Sequence, residues 1–546
     1  MAEPNAGTGR PRRSAGVVAL ATAGRTARSA ALWGGLFGLL IANEALTYDS
    51  TFPTAASREE FAATFGSNAA LSAIVGPGHR LDTIEGVVAW RVFGLLIIVG
   101  AIWGLLTATR MLRGEEDAGR WEILLAGRTS RRLAAVQAVL GLAAGWTLMW
   151  VVVAVATVVA GSRDGVGFPV SASLFYATAT TASGALFLAV GALTSQLTAT
   201  RRQASGLAAG VFAVGYLTRL VADSGTGLGW LRWASPLGWI ENSRPLTDPR
   251  PLPLLLVGLL TGGIVAVTVT IAGRRDVGAG ALARRSPAPP AGTTIGSLDR
   301  PSALAWRLER WVVLAWITGL GILALVFGVV AGAAEEADFA SNVGETVSRL
   351  GGGGSGAEAW IGYLFLYLSA ILAFAAVGQV SALRTEEAAG HLDHLLARSV
   401  SRSAWLAGRL AVAVMLVLGS ALAAAVGGWA GLLGQGIGLP AMLRAGLNLA
   451  VPGLFILGLG TLLFGLVPRW SVPLLYVPVL WSFLVEIFGT SITDSRWLLD
   501  TALLTHLGPV PAAPVQWDAL LTMAVLAVLT ASVGFVAFVR RDLVSA

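Results

Sequence analysis

The chain has 546 residues, of which 55% are hydrophobic and 13% are charged, and its formal net charge is +7. A soluble protein carries about 25% charged residues, so this composition excludes a soluble globular protein and indicates one that lies in a membrane. The sequence has no cysteine and no lysine, which excludes disulfides and thiolate metal sites and also a Walker A phosphate loop, because that loop needs a lysine.

Apolar stretches recur along the chain, and most are long enough to cross a bilayer, which takes about 20 helical residues. They do not alternate as the shorter strands of a membrane barrel do. Two pairs of glycines four residues apart predict close helix packing within the chain, Gly141 with Gly145 and Gly206 with Gly210. The sequence predicts twelve transmembrane helices, at residues 30–48, 88–109, 135–160, 172–194, 205–222, 252–273, 311–332, 360–382, 408–433, 446–467, 472–490 and 517–539.

The twelve helices divide into two sets of six, separated by a segment rich in proline, alanine and arginine. Such a composition is typical of a flexible linker. Segments before the first and seventh helices predict elbow helices that lie along the membrane surface. The predicted domains are an N-terminal segment with its elbow helix, a first six-helix half, a linker with the second elbow helix and a second six-helix half, at residues 1–29, 30–273, 274–310 and 311–546.

The positions of the arginines predict the orientation of the chain. Most of them fall in segments on one side of the twelve-helix arrangement, including both termini and the linker. Basic residues favour the cytoplasmic side, so both termini are predicted to be cytoplasmic and the acidic loops at 49–87 and 333–359 external. The positive net charge of the chain is then explained by arginines that lie beside anionic lipid, and it does not indicate nucleic-acid binding. Six helices per half give both halves one orientation, which predicts a parallel repeat about a pseudo-twofold axis.

One charged segment occurs twice, once in each half. Residues 113–131 read RGEEDAGRWEILLAGRTSR and residues 384–402 read RTEEAAGHLDHLLARSVSR; we call them box 1 and box 2. The boxes align without a gap, are identical at ten positions, and fall in the predicted cytoplasmic loop between the second and third helices of each half. A second repeated motif, Arg-Arg-Asp, ends the last helix of each half, at residues 274–276 and 540–542.

Each box has large apolar residues at positions i, i+3 and i+4, which are Trp121, Leu124 and Leu125 in box 1 and Leu392, Leu395 and Leu396 in box 2. This spacing predicts a short amphipathic helix. One interpretation is a helix that lies on the bilayer, but helices of that kind are usually basic, and both boxes begin with paired glutamates. We therefore interpret each box as a helix that docks into another protein.

The pattern E-E-x-x-G-x-x-[ED]-x-L-L-A followed by S-R resembles the cytoplasmic loop of ABC-2-type exporter permeases. The doubled box is most similar to the duplicated twelve-helix permeases of the tetronasin/multidrug type in high-GC bacteria, and the resemblance covers essentially the whole chain. It implies that each box is a coupling helix bound by one of two copies of an ABC ATPase subunit. The implied contacts are Glu115, Glu116, Gly119, Trp121, Glu122, Leu124 and Leu125, and Glu386, Glu387, Gly390, Leu392, Asp393, Leu395 and Leu396.

The same resemblance implies a fold and a function. The fold is an all-α polytopic membrane protein of twelve helices, in which each half has an elbow helix and a coupling helix. The function is export of hydrophobic or amphipathic small molecules through the bacterial plasma (inner) membrane, with ATP and Mg bound by the partner and no cofactor or metal in this chain. Because box 1 has Arg120 where box 2 has His391, the two docking sites are predicted not to be equivalent.

Two acids and five aromatic residues are candidates for the substrate path. Glu44 and Glu486 lie in predicted helices, where a charge costs about 2.5–3.5 kcal/mol and usually faces protein or water. The alternative for either is an acid near the outer interface that pairs with an arginine. Aromatic side chains in corresponding helices of the two halves are predicted to line an apolar path or to form a lipid-facing belt; they are Phe212, Tyr216, Tyr476, Trp481 and Phe483.

Two other classes of protein fit parts of the pattern. A proton-coupled secondary drug transporter can share the parallel six-helix halves, although it usually has a shorter loop at the position of the boxes and carries ionisable residues inside the membrane. A membrane-embedded enzyme would need a catalytic set of side chains. The sequence offers none, since His391, Asp393 and His394 lack the H-E-x-x-H spacing of a catalytic metal site. The preferred prediction is the membrane subunit of an ATP-driven exporter.

Overall fold

The computed structural model describes residues 16–66, 72, 75–125, 130–224, 227–276, 278–282, 301–335, 356–397, 400–492, 497 and 500–543. Every regular element in these ranges is a helix, in agreement with the predicted all-α class. The chain forms two compact units, Met1–Pro289 and Pro290–Ala546. Each unit contains one box and one Arg-Arg-Asp motif.

The helices of the first unit are α1 (Val17–Thr51), α2 (Ala55–Gly66), α3 (Ile84–Arg91), α4 (Phe93–Thr109), α5 (Arg120–Leu125), α6 (Arg131–Gly161), α7 (Val170–Leu197), α8 (Arg201–Asp223), α9 (Pro236–Asn242) and α10 (Pro251–Arg274). Helix α4 continues into box 1 through a π-helical turn, Arg110–Gly114, and one short turn, Glu115–Asp117. A 3-10 turn, Gly229–Ala234, precedes α9. Helix α5 is the box helix of this unit.

The helices of the second unit are α11 (Pro301–Glu335), α12 (Gly356–Ala388), α13 (His391–Leu396), α14 (Arg402–Gly431), α15 (Leu439–Leu466), α16 (Ser471–Ile492) and α17 (Trp517–Arg540). Helix α12 runs directly into box 2, and α13 is the box helix. A 3-10 turn, Leu504–His506, lies between α16 and α17. The long helices therefore follow the same order around the box in both units.

Eleven helical segments in the described part of the chain are long and apolar enough to cross a membrane. They overlap eleven of the twelve predicted spans, which makes this a multi-pass membrane protein. The exception is the predicted span 472–490 in α16, where the apolar stretch is only Ser471–Phe483. The helix itself has 22 residues, Ser471–Ile492, but its apolar stretch is followed only as far as the described side chains, and the count of twelve is not confirmed.

The two predicted elbow helices are not separate elements. Helix α1 runs without a break from Val17 to Thr51, and α11 runs from Pro301 to Glu335. Each has 35 residues, about 52 Å at 1.5 Å per residue. No proline follows the first turn of either helix, so nothing in the sequence forces a break between the surface segment and the span. Separate elbow helices are therefore not confirmed.

Helix packing repeats between the units. The first long helix packs on the third in both, α1 on α6 and α11 on α14. Close approach in these pairs depends on glycine: a Cβ at Gly141 would lie 2.6 Å from the carbonyl oxygen of Ala19, and a Cβ at Gly427 would lie 2.1 Å from that of Gly321. The prediction for Gly141 and its partner Gly145 is confirmed. The prediction for Gly206 and Gly210 is not confirmed, because among the described residues a Cβ at either would meet nothing within 4 Å.

We expect Gly427→Ala to destabilise the second unit. The added methyl group would overlap the Gly321 carbonyl, and overpacking of this kind costs about 1–3 kcal/mol. The matched control is Gly319→Ala on α11, where a Cβ has nothing within 4 Å and the helix gains propensity. The measurement is the midpoint of thermal unfolding in detergent, which should fall for the first variant only; equal midpoints would contradict the packing of α11 on α14.

Candidate functional site

Each box turns the chain sharply at its shared glycine. Gly119 and Gly390 have φ values of 71° and 70°, in the left-handed region that glycine adopts without steric cost. The glycine N–H donates to the carbonyl oxygen of the second box glutamate, Glu116 or Glu387, at 2.9 and 3.0 Å. The shared glycine therefore ends one helix and lets the box helix leave in a new direction.

The second glutamate of box 1 is buried among cations. The Glu116 side chain is 3% exposed. Arg275, which follows the end of α10, donates from Nη1 to Oε1 at 2.7 Å and from Nη2 to Oε2 at 2.5 Å. Arg113 lies 3.0 Å from Oε2 and is fully buried, and the N–H of Gly278 donates to Oε1 at 2.7 Å. These donors compensate the cost of burying the carboxylate.

Box 2 repeats this arrangement inside the second unit. The Glu387 side chain is 1% exposed. Arg541, just past the end of α17, donates from Nη1 to Oε1 at 2.6 Å and from Nη2 to Oε2 at 2.9 Å, and Arg384 lies 3.4 Å from Oε2. We call the contacts Arg275–Glu116 and Arg541–Glu387 clamp 1 and clamp 2. The two motifs that are repeated in the sequence thus meet each other in both units.

The Ser-Arg end of each box begins the third long helix of its unit. The hydroxyl groups of Ser130 and Ser401 accept a hydrogen bond from the backbone N–H three residues later, at 3.2 and 3.1 Å, as N-cap residues do. Arg131 and Arg402 donate to the carbonyl oxygen of the clamp arginine, at 3.0 and 2.5 Å. Many positions that are identical between the boxes therefore stabilise the structure of the box itself.

The first apolar residue of each box stripe is buried in its own unit. Trp121 belongs to the core of the first unit, and Leu392 is 1% exposed, while Leu395 and Leu396 are half-buried. Trp121 and Leu392 therefore face the rest of their unit, and so do Glu116 and Glu387, which ion-paired groups of the same chain cover. The side chains of Leu124 and Leu125 lie outside the described residues. Docking of the boxes to an ATPase stays a prediction.

The opposite face of each box helix is exposed. At matched positions it carries Ala118, Arg120 and Glu122 in box 1 and Ala389, His391 and Asp393 in box 2; we call these sets outward face 1 and outward face 2. Arg120 folds back onto Glu115, donating from Nε and Nη2 at 2.6 and 2.7 Å. The acid at Glu122 or Asp393 is the charge that both outward faces share, and it is accessible to another molecule.

The first glutamate of each box is attached to its unit in a different way. Glu115 pairs with Arg25 of α1 at 2.5 Å. Glu386 pairs instead with Arg409 of α14 at 3.0 Å, and Arg409 also lies 3.5 Å from Glu309 of α11. The first helix thus contributes a cation in one unit and an anion in the other. The two boxes are held in place by different charges, which is consistent with the predicted difference between them.

The substrate-path candidates of the first unit are packed within it. The Glu44 carboxylate lies 3.0 Å from Nη1 of Arg91, so the structure agrees with the alternative of an arginine-paired acid. The rings of Phe212 and Tyr216 are stacked with centroids 6.0 Å apart, and both lie against the core of the unit. Their part in a substrate path stays a prediction.

The candidates of the second unit are more accessible. Tyr476 and Trp481 are 40% and 38% exposed, and the indole N–H of Trp481 donates to the hydroxyl of Thr501 at 2.7 Å. Phe483 packs against a small cluster of buried side chains. The side chain of Glu486 lies outside the described residues. The exposed rings are compatible with either a path lining or a lipid-facing belt.

One buried charged cluster of the first unit was missed from the sequence. Arg219, 1% exposed in α8, lies 3.3 Å from the carboxylate of Asp223 and 2.8 Å from that of Glu241, and Arg232 donates to Asp223 at 2.6 Å. Burial raises the pKa of Glu241 to about 8; the negative charge of Asp223 also raises it, while the positive charge of Arg219 lowers it. The sequence did contain an indication of this cluster: Arg219 lies inside the predicted span 205–222, and ionisable residues inside a span usually have a function.

Two comparisons with known proteins match most of the chain. The family model for the C-terminal domain of the multidrug efflux system permease Rv1217c matches residues 52–273 and 298–539, one segment in each unit, and each segment contains a box. The multidrug efflux system permease protein Rv1217c of Mycobacterium tuberculosis (strain ATCC 25618 / H37Rv) is 31% identical to this chain over 519 residues. The aligned residues make up 90% of this chain and 88% of the mycobacterial protein.

Proposed function

This chain belongs to the family of the multidrug efflux system permease Rv1217c, and on that basis we propose that it is the membrane subunit of an ATP-driven ABC exporter of the ABC-2 type. In this proposal two copies of a separate ATP-binding subunit each dock on one box. The chain itself is a transport subunit, not an enzyme. The family membership supports drug efflux across a membrane. The boxes support the part of the proposal in which ATP hydrolysis by docked subunits drives that efflux.

The observation that carries the proposal is the pair of outward faces. Box 1 and box 2 each present a short helix whose exposed side bears an acid at the same position, Glu122 or Asp393. Both box helices are mounted on buried ion pairs and a left-handed glycine, so their orientation is well determined. A rigid, charged helix that is repeated once per unit suits a partner that binds twice. Electrostatic complementarity of this kind mainly provides specificity and a fast encounter.

The sequence also supports an external source of energy. Without a lysine, these 546 residues cannot supply the Walker A side chain that contacts the β- and γ-phosphates. ATP and Mg would therefore be bound by the partner subunits. Closure of the two subunits around ATP would draw the boxes together and switch the two transmembrane halves between inward-facing and outward-facing states.

The proposed topology follows from the same docking. Both boxes, both termini and the linker would lie in the cytoplasm of a bacterium, with the long helices crossing the plasma membrane around a pseudo-twofold axis. The substrates would be hydrophobic or amphipathic drugs taken from the cytoplasm or the inner leaflet. Burial of apolar surface would provide most of their binding free energy, which suits a permease that accepts several substrates.

The stoichiometry of the complex tests the proposal. We expect the chain, purified in detergent after co-expression with its ATP-binding subunit, to carry two copies of that subunit, measured by native mass spectrometry. Glu122→Arg alone should leave one copy, because outward face 2 is intact, and Asp393→Arg alone should do the same. A wild-type chain that carries no ATP-binding subunit would contradict the proposal.

A second candidate function is supported by the buried cluster of the first unit. A proton-coupled drug transporter needs carboxylates that titrate near neutral pH, and burial places the pKa of Glu241 at about 8 beside Asp223. In that case Glu241→Gln would abolish transport driven by a pH gradient. In the ATP-driven exporter the same variant should retain transport, because the cluster then holds α8 against the turn before α9.

A further inference from the structure

The repeated Arg-Arg-Asp motif has no role in the proposed docking, yet the structure places its middle arginine in the same contact twice. Arg275 and Arg541 each bind a buried box glutamate through both Nη atoms, at distances of 2.5 to 2.9 Å. Bidentate hydrogen bonding between a guanidinium and a carboxylate fixes the relative orientation of the two groups as well as the distance between them. Lysine, a point charge, cannot reproduce that geometry.

Each clamp joins parts of its unit that are far apart in the chain. The glutamate belongs to the box between the second and third long helices, and the arginine follows the last helix. The third long helix is joined to the same point, because Arg131 and Arg402 donate to the carbonyl oxygens of Arg275 and Arg541. Any displacement of a box must therefore either move the end of the last helix with it or break the clamp.

The last helix of each unit is otherwise lightly buried. In the most apolar stretch of α10 only 11% of residues are buried, and in that of α17 only 22%. The values for the second long helices, Ile84–Asp117 and Gly356–Ala388, are 67% and 72%. Each last helix packs in its unit along one face, α10 on α7 and α17 on α15, and the clamp joins its C-terminal end to the box.

We propose that Arg275 and Arg541 are positioning residues that make each box and the last helix of its unit move as one body. This inference rests on the proposed function, because it assigns to the clamps the transmission of a displacement that a docked ATPase applies to the boxes. ATP-driven closure would then move α10 and α17 directly. The ATPase would still bind and turn over ATP without the clamps, but its motion would be transmitted poorly to the membrane.

The first test is the ratio of efflux to ATP turnover. The double variant Arg275→Gln/Arg541→Gln is reconstituted with the ATP-binding subunit in proteoliposomes, and ethidium transport and phosphate release are measured together. The matched control is Arg274→Gln/Arg540→Gln, which changes the exposed arginine of the same motif. We expect ethidium transported per ATP to fall at least about fivefold in the clamp variant, with two bound ATPase copies and with no change in the control.

The second test measures the motion itself and uses the absence of cysteine in the chain. Spin labels are attached at Ala397→Cys, which is exposed just past the box helix α13, and at Arg540→Cys, beside clamp 2. With an intact clamp the distance between them should be the same without nucleotide and with ATP trapped by vanadate. In Arg541→Gln the trapped state should shift that distance by more than about 2 Å.

The outcomes separate this inference from the proposed function. If the wild-type chain binds no ATPase, the proposed function fails and the clamps lose this role with it. If the ATPase binds but the clamp variants keep the wild-type ratio of ethidium to ATP, or the label distance shifts equally with and without the clamp, only the inference fails. Should Arg275→Gln or Arg541→Gln not be recovered folded, Arg275→Lys/Arg541→Lys must show the lowered ratio, and a wild-type ratio there overturns the inference.

Discussion

Reversing the shared acid on both outward faces, with Glu122→Arg and Asp393→Arg together, is expected to abolish binding of the ATP-binding subunit and ATP-dependent efflux. These acids are exposed at matched positions on two rigidly mounted helices. A cleft that binds both boxes must therefore accept an acid at this position. Like charges brought together at an interface cost several kcal/mol, so we expect affinity at each box to fall about a hundredfold or more.

The matched control for that variant is Glu59→Arg/Asp518→Arg, which makes the same change of charge at two exposed acids outside the boxes. Both variants should unfold at the wild-type temperature, because none of the four side chains is buried. The measurement is co-purification of the ATP-binding subunit with the tagged chain, followed by efflux of ethidium from cells. Normal co-purification in the box variant would show that the outward faces are not the docking surface.

Removing Arg113 is expected to cost more stability than any other single change in the boxes. Its side chain is fully buried between Glu116 and Asp117, at 3.0 and 3.3 Å, and Nη2 donates to the carbonyl oxygen of Gly278 at 3.0 Å. Breaking a buried ion pair from one side costs about 3–5 kcal/mol. Arg113→Ala should therefore lower the free energy of unfolding of the first unit by about that amount.

The second unit provides a comparison for this prediction. Arg384 occupies the matched position in box 2, but it is 15% exposed and lies 3.4 Å from Glu387, so Arg384→Ala should cost less than half as much. Arg110→Ala, at an exposed arginine on the turn before box 1, should cost little. Thermal unfolding in detergent, followed by tryptophan fluorescence, measures all three. Equal losses for Arg113→Ala and Arg384→Ala would contradict the different burial of the two sites.

Most of the secondary structure could be predicted because it depends on local composition. Long apolar stretches predicted eleven of the segments that are able to cross a membrane, and glycine spacing predicted the contact at Gly141 and Gly145. The span at 472–490 stays a prediction, because among the described residues only Ser471–Phe483 qualifies there as an apolar helical stretch. The elbow helices were predicted from the segments before the first and seventh spans, but α1 and α11 have no proline after the first turn that would separate those segments from the spans.

The direction of each box could not be predicted in the same way. Helical spacing identifies an apolar stripe, but it does not tell whether that stripe faces a partner or the rest of the chain. Only the tertiary structure places Trp121 in a core and brings Arg275 to Glu116 across 159 residues. Sequence identity between the boxes suggested a docking surface, whereas many of the identical positions are glycine turns, ion pairs and helix caps that stabilise the boxes themselves.

The source of energy for transport is the central claim, and one measurement tests it most directly. The chain is reconstituted in proteoliposomes with and without its ATP-binding subunit, and ethidium transport is followed with either ATP or a pH gradient as the only energy source. We predict transport that needs both ATP and the ATP-binding subunit and that persists when a protonophore removes the gradient. Transport by the chain alone, driven by the pH gradient and abolished by Glu241→Gln, would contradict the account.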